Sequence, residues 1–199
     1  MSAGAVAADF EREGWAVARG VVDGDVLARA LAHLETLPGD ALRTGPIDGF
    51  FAEVLALVAP VASDALGAPV EAFGATYVIK PAGVGLPTRW HQDGHPWEQR
   101  GITRAVSIGI ALDRSTRENG CLLVIPGSHR LPAHPLREVT DPPNTFGAEI
   151  DPALVDESLA VAVELEPGDA SIHHPNLVHG AEANTSSRPR RTLVLRYHA

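Results

Sequence analysis

Lysine is almost absent from this sequence. Lys80 stands alone against fifteen arginines, so nearly every cationic role falls to a guanidinium. Acidic residues outnumber basic ones, and the net charge of −9 argues against nucleic acid or an anionic membrane as the main partner. Cysteine is equally scarce. Cys121 is the only one, which excludes a disulfide framework and a thiolate zinc cluster. Long apolar runs are missing too: a stretch such as Val54 to Ala62 falls well short of the roughly 20 residues that span a bilayer. Met1 to Phe10 places no basic residue ahead of an apolar core and does not read as a secretory signal. These absences together suggest a cytoplasmic protein with a reduced thiol. Internal repeats, heptads and low-complexity tracts are also lacking.

What is present is turn-rich and globular: 199 residues, 45% hydrophobic, with 19 glycines and 16 prolines. That length suits one domain, 1–199, which can bury roughly 70% of its unfolded surface. Residues 1–68 read as a helical part. Asp23-Gly24-Asp25 precedes Val26, Leu27, Ala30, Leu31 and Leu34 at helical spacing, and Asp48 precedes a second apolar run that stops at Gly67. Pro60 should kink or interrupt that second helix. From residue 69 the pattern becomes strands and turns, with candidates at Val70–Lys80, Arg104–Asp113, Cys121–Ile125, Leu159–Leu165, Ala170–His173 and Arg191–Tyr197. Asn119-Gly120, Pro126-Gly127-Ser128 and Pro167-Gly168-Asp169 punctuate them. The fold expected is mainly β, a sandwich, barrel or jelly roll with packed N-terminal α-helices. Residues 131–157 show no period and read as a long loop, a candidate lid.

His91-Gln92-Asp93 is the first chemical signal. Residues i and i+2 on extended backbone project to the same side, so an imidazole and a carboxylate can grip one face of a metal. His179, 88 residues further on, is the best third ligand. Two histidines and one carboxylate with open positions are diagnostic of non-haem Fe(II) oxygenases. Arg190 follows His179 by eleven residues, and a guanidinium suits the far carboxylate of a chelating keto acid. In Arg104–Asp113, Val106, Ile108, Ile110 and Leu112 are bulky and should face a core. Ala105, Ser107, Gly109 and Ala111 are small and read either as room for a ligand or as close strand packing.

The stretches His91-Gln92-Asp93-Gly94-His95, Glu118 to His129, Pro167-Gly168-Asp169, His179-Gly180 and Pro189-Arg190-Arg191 together resemble the phytanoyl-CoA dioxygenase family across about residues 70–198. The resemblance implies a double-stranded β-helix (the cupin-like jelly roll) and an Fe(II)- and 2-oxoglutarate-dependent dioxygenase that also consumes O2. His91, Asp93 and His179 match the family's iron ligands. Arg190 matches the residue that binds 2-oxoglutarate, with Arg191 as the neighbouring alternative; Thr76 and Ser107 are further pocket candidates. Gly109 replaces a residue that is often larger and should reshape the pocket.

The expected reaction is hydroxylation of an unactivated C–H in a small molecule, an amino acid or natural-product intermediate, with release of succinate and CO2. The same iron chemistry also supports desaturation, cyclisation or epimerisation. Asp93 occupies the position that iron halogenases leave to halide, which disfavours halogenation. Competing readings are a non-catalytic cupin-like binding protein and a zinc hydrolase. The chain is expected to act as a monomer or homodimer. Of the other histidines, His173 and His174 should point to opposite faces, His95 lies at the entrance or the surface, and His129 makes local hydrogen bonds. Cys121 is expected to be a buried apolar residue rather than a nucleophile.

Overall fold

Asp23 and Gly67 bracket two of the helices as the sequence leads one to expect. The computed structural model describes residues 3–139 and 141–199. Met1 and Ser2, the start of the stretch read against a secretory signal, and Thr140, within the 131–157 segment, lie outside them. Four α-helices are described: α1 (Ala3–Glu13), α2 (Gly24–Leu34), α3 (Gly49–Leu66) and the short α4 (Gly94–Glu98). The Asp23 carboxylate accepts the Val26 N–H at 3.0 Å, which satisfies one of the free donors at the start of α2. Gly67 ends α3 in the left-handed region, φ 62°, where a side chain would be strained.

Pro60 does not interrupt α3, contrary to the sequence expectation. Pro60 and Ala56 both lie on the exposed face, so the carbonyl that Pro60 leaves unpaired is open to water. By length and composition alone α3 would pass for a membrane-crossing helix, which the short apolar runs had not suggested. Its Phe51, Val54, Leu55, Val58 and Ala62 are instead buried in the core.

Twelve strands are described. In chain order they are β1 (Trp15–Ala18), β2 (Leu42–Thr44), β3 (Glu71–Lys80), β4 (Thr88–His91), β5 (Ala105–Ala111), β6 (Leu122–Val124), β7 (Leu136–Glu138), β8 (Ala148–Ile150), β9 (Val161–Val163), β10 (Ala170–His173), β11 (His179–Ala181) and β12 (Arg190–His198). A six-stranded sheet runs β1-β10-β5-β12-β3-β2, and a four-stranded sheet runs β4-β11-β6-β9. All pairings are antiparallel. This is the jelly-roll architecture, mainly β with helices against one sheet. Two departures follow. The N-terminal part is not purely helical, because β1 and β2 extend both edges of the large sheet. The proposed strand at 159–165 shrinks to β9, preceded by a 3₁₀ turn at Glu157–Leu159.

The two faces of the large sheet differ in chemistry. Val106, Ile108, Ile110, Leu193, Leu195 and Tyr197 pack on the helices in one apolar core. The buried tyrosines tie the layers together: Tyr197 donates to the Leu55 carbonyl at 2.9 Å and Tyr77 to the Ala30 carbonyl at 3.1 Å. The opposite face looks toward the small sheet and carries Lys80, Ser107, Ser171, His173, Arg190 and Arg196. Gly109 lies on that face, but a Cβ there would sit 2.8 Å from Ser171 Oγ and 3.3 Å from Thr192 Cγ2. Close strand packing therefore accounts for Gly109, and the enlarged pocket expected there is not found.

The core position of α3 can be checked directly. Leu55→Ala should lower stability by about 2–5 kcal/mol in urea unfolding of the purified protein. Leu57→Ala, half exposed on the same helix, should change it by less than about 0.5 kcal/mol. Equal losses would contradict the face assignment.

Candidate metal centre and its cavities

His91 ends β4 and His179 begins β11, and the antiparallel register sets them opposite each other. Their ring centroids lie 4.1 Å apart. The ring at His91 donates its Nδ1 proton to the Arg89 carbonyl at 2.8 Å, and His179 does the same to the Leu177 carbonyl at 2.9 Å. Both Nε2 lone pairs are therefore free, and such an outer hydrogen bond fixes tautomer and ring orientation for a metal. Asp93 follows where the chain turns into α4. Its N–H and that of Gly94 donate to the Pro175 carbonyl at 2.8 and 3.0 Å. Gly94 sits against the Asn176 side chain: a Cβ would fall 1.8 Å from Asn176 Oδ1, so any larger residue there would have to displace that amide. The Gln92 amide donates to the Asn176 carbonyl at 2.7 Å and accepts the His134 N–H at 2.8 Å, tying the site to the 131–157 segment.

One ligand atom from each of His91, Asp93 and His179 lies within 4.8 Å of the others. Asp93 Oδ1 is 3.7 Å from His91 Nε2, and the carboxylate accepts no hydrogen bond from any described residue. Burial and the neighbouring His179 push His91 down to about 4, so its Nε2 electron pair stays available for ligation. Burial pushes the Asp93 carboxyl up, but His179, His91, Arg196 and His173 outweigh it and the net shift is downward. Two imidazoles and a carboxylate without a hydrogen-bond donor are the donor set that a divalent iron takes.

A narrow inner cavity of about 70 Å³ runs from this triad to Arg190. Arg190 opens β12 and faces inward beside Lys80. It is buried, its Nε has no partner, and burial lowers its pKa to about 10. Arg191 points the other way. Its Nε and Nη2 grip the Asp113 carboxylate at 2.8 and 2.6 Å, so of the two neighbours it is Arg190 that lines the cavity. Thr76 and Ser107 border neither cavity. The Thr76 hydroxyl accepts from Arg196 Nη1 at 2.9 Å. Ser107 lies opposite both His173 and Arg196, its hydroxyl buried without a partner. His173 reaches the inner cavity, its ring 4.8 Å from that of His179, while His174 stacks near Phe10 and His129. His129 Nε2 donates to the Glu11 carbonyl at 3.3 Å. His95 is exposed and meets Gln99. Cys121 is a free, buried thiol whose pKa burial pushes up to about 11.

The 131–157 segment is more ordered than its sequence suggests. The β7-β8 hairpin runs through it, closed by Arg137 on Glu149 at 2.6 Å. Its Phe146 packs 4.9 Å from the His91 ring. Phe146 also borders a broader outer cleft of about 450 Å³, with Trp97, Phe73, Arg100 and Arg196. Arg196 was not singled out from the sequence. Strand alternation was the available signal, because Arg196 lies six residues after Arg190 and so shares its face.

The jelly roll and its His91, Asp93 and His179 set define the class in which a facial two-histidine, one-carboxylate triad sits inside a double-stranded β-helix. The family model described as phytanoyl-CoA dioxygenase (PhyH) matches residues 28–192, and the chain belongs to that family. A phytanoyl-CoA dioxygenase domain-containing protein 1 of Danio rerio is 34% identical over 120 residues, 57% of this chain and 40% of that protein. An ectoine dioxygenase of Sphingopyxis alaskensis is 29% identical, covering 97% of this chain and 74% of its own length. An L-proline trans-4-hydroxylase of Streptomyces griseoviridis is 33% identical, covering 69% and 58%. Among solved structures, EvdO2 from Micromonospora carbonacea var. aurantiaca superposes with TM-score 0.78 at 26% identity, over 98% of this chain and 90% of that one. EvdO2 has also been solved in complex with 2-oxoglutarate.

Lys80 carries a pH signature. It is buried beside Arg190 and donates to the Leu86 carbonyl. Burial, then Arg190, lowers its pKa to about 7, below the unfolded value. The unfolded chain thus binds more protons between about pH 7 and 10.5, and stability rises with pH across that window. Urea melts from pH 7 to 9 should show this rise, with a shallower slope in Lys80→Met. An unchanged slope would assign the rise elsewhere.

Proposed function

We propose that this chain is an Fe(II)- and 2-oxoglutarate-dependent dioxygenase that hydroxylates a C–H bond of a small molecule. One observation carries the reading. Three metal-ligand side chains and a buried guanidinium with an unpartnered Nε border the same inner cavity. His91, Asp93 and His179 would hold the iron and leave coordination positions open. Iron so held, with 2-oxoglutarate and O2, supplies the oxidising power for hydroxylation and releases succinate and CO2.

The rest falls to the protein's own groups. Arg190 would take the far carboxylate of 2-oxoglutarate by paired hydrogen bonds, a role its lack of an acidic partner among the described residues leaves open. The Arg89 and Leu177 carbonyls hold both imidazole rings in the ligating tautomer. Phe146 and the β7-β8 hairpin would cover the mouth and exclude water. Hydroxylation is favoured over other outcomes because relatives at 29% and 33% identity are an ectoine dioxygenase and a proline hydroxylase. The setting we assign is the cytoplasm, where the lone buried thiol of Cys121 stays reduced.

Succinate release from 2-oxoglutarate tests the assignment. His179→Ala should abolish it. Arg190→Met should raise the KM for 2-oxoglutarate by at least about tenfold, the low end for loss of a charged hydrogen-bond pair. Arg191→Met should leave that KM within about twofold. If the Arg191 variant carries the KM effect instead, the anchor is misassigned. Fe(II) and 2-oxoglutarate should also slow tryptic cleavage after Arg137 in the hairpin; an unchanged rate would count against its role as a cover.

A further inference from the structure

The outer cleft shares His91, Asp93, Phe146 and Arg196 with the inner cavity. The proposed reaction assigns it no polar contact, yet it holds a charged group that is already positioned. Arg196 Nη1 donates to Thr76 Oγ1 at 2.9 Å. Its Cζ stands 5.9 Å from the centroid of the Trp97 ring, and Trp97 is itself braced edge-on against Phe73 at 5.1 Å.

Among the described residues no carboxylate pairs with this guanidinium in the way that Asp113 serves Arg191 or Glu149 serves Arg137. Among the described residues, neither Arg196 nor Arg100 has a carboxylate within 4.0 Å. Arg196 does act on the Asp93 carboxylate through space, but that carboxylate is one of the three candidate metal ligands. A half-buried cation fixed at one end by a hydroxyl and a ring, with its remaining N–H groups toward a cleft, is suited to receive an oxyanion. The fork matches the two coplanar oxygens of a carboxylate. Phe73, Trp97 and Phe146 offer apolar walls to whatever that group is attached to.

We infer that the outer cleft binds a small carboxylic acid, its carboxylate on Arg196 with Arg100 at the mouth, its apolar body along Phe73, Trp97 and Phe146. A molecule so placed lies with its carbon chain beside His91 and Asp93. That this acid is then hydroxylated rests on the function proposed above; its binding does not.

The test uses calorimetry with three probes: 3-phenylpropionate, its neutral amide, and phenyl phosphate. The protein is loaded anaerobically with Fe(II) and 2-oxoglutarate, so that the Arg190 site is filled. The acid should bind at least about tenfold tighter than the amide, and Arg196→Gln should reduce that preference to about twofold or less. Equal binding of acid and amide, or a preference that survives in Arg196→Gln, overturns the inference. Tenfold tighter binding of phenyl phosphate than of the acid overturns the carboxylate assignment in favour of a phosphate. If Arg196→Gln fails to fold by circular dichroism, Thr76→Val decides: it keeps the charge but removes the hydroxyl brace, and should weaken the acid severalfold without affecting the amide. Unchanged acid affinity there overturns the inference. Should the protein fail to bind Fe(II) and 2-oxoglutarate at all, the proposed function falls, and the same acid–amide comparison on metal-free protein still decides the present inference.

Discussion

The antiparallel register between β4 and β11 is the constraint on which the rest depends. It sets His91 against His179 although 88 residues separate them. Asp93 then has to arrive beside them, and the Pro175 carbonyl fixes it by accepting both the Asp93 and Gly94 N–H groups. Glycine at 94 leaves room for the Asn176 amide beside this contact. A few backbone hydrogen bonds between two distant segments thus place three ligand atoms within reach of one ion.

The large sheet divides its labour by face. The outer face is apolar and packs on α3, and its buried tyrosines anchor to helix carbonyls. The inner face carries the chemistry. Along β12 the alternation runs Arg190, Thr192, Val194, Arg196, so two guanidiniums look into the barrel, Arg190 onto the inner cavity and Arg196 onto both spaces. The odd-numbered neighbours belong elsewhere: Arg191 to Asp113, and Leu193, Leu195 and Tyr197 to the core. A one-residue slip in this strand would put cations into the core and apolar groups into the site.

The site was legible where its chemistry is local. His91 and Asp93 sit two residues apart on extended backbone, and the choice of Arg190 over Arg191 agrees with strand alternation. The β-rich fold was legible because Asn-Gly and Pro-Gly turns separate apolar runs. What escaped depends on tertiary neighbours. The small residues of β5 read equally as room for a ligand or as close packing, and only the neighbours Ser171 and Thr192 decide for packing at Gly109. The β7-β8 hairpin has no clear period, and its strands are joined by ladder bonds and an Arg137–Glu149 pair that only the fold brings together. Arg196 was not singled out because nothing near it in sequence announces Trp97 or Thr76 as its partners. At Pro60 the local rule about proline allowed a break that α3 does not make, because the helix turns that residue to water.

The account stands on one cavity holding both a metal triad and a carboxylate anchor. Anaerobic titration of the protein with Fe(II) and then 2-oxoglutarate tests this most directly, by the faint visible charge-transfer band of iron-chelated 2-oxoglutarate. The wild type and Arg191→Met should develop the band at similar 2-oxoglutarate concentrations, Arg190→Met only at much higher ones, and His179→Ala not at all. A wild-type protein that binds Fe(II) and develops no band at saturating 2-oxoglutarate would contradict it.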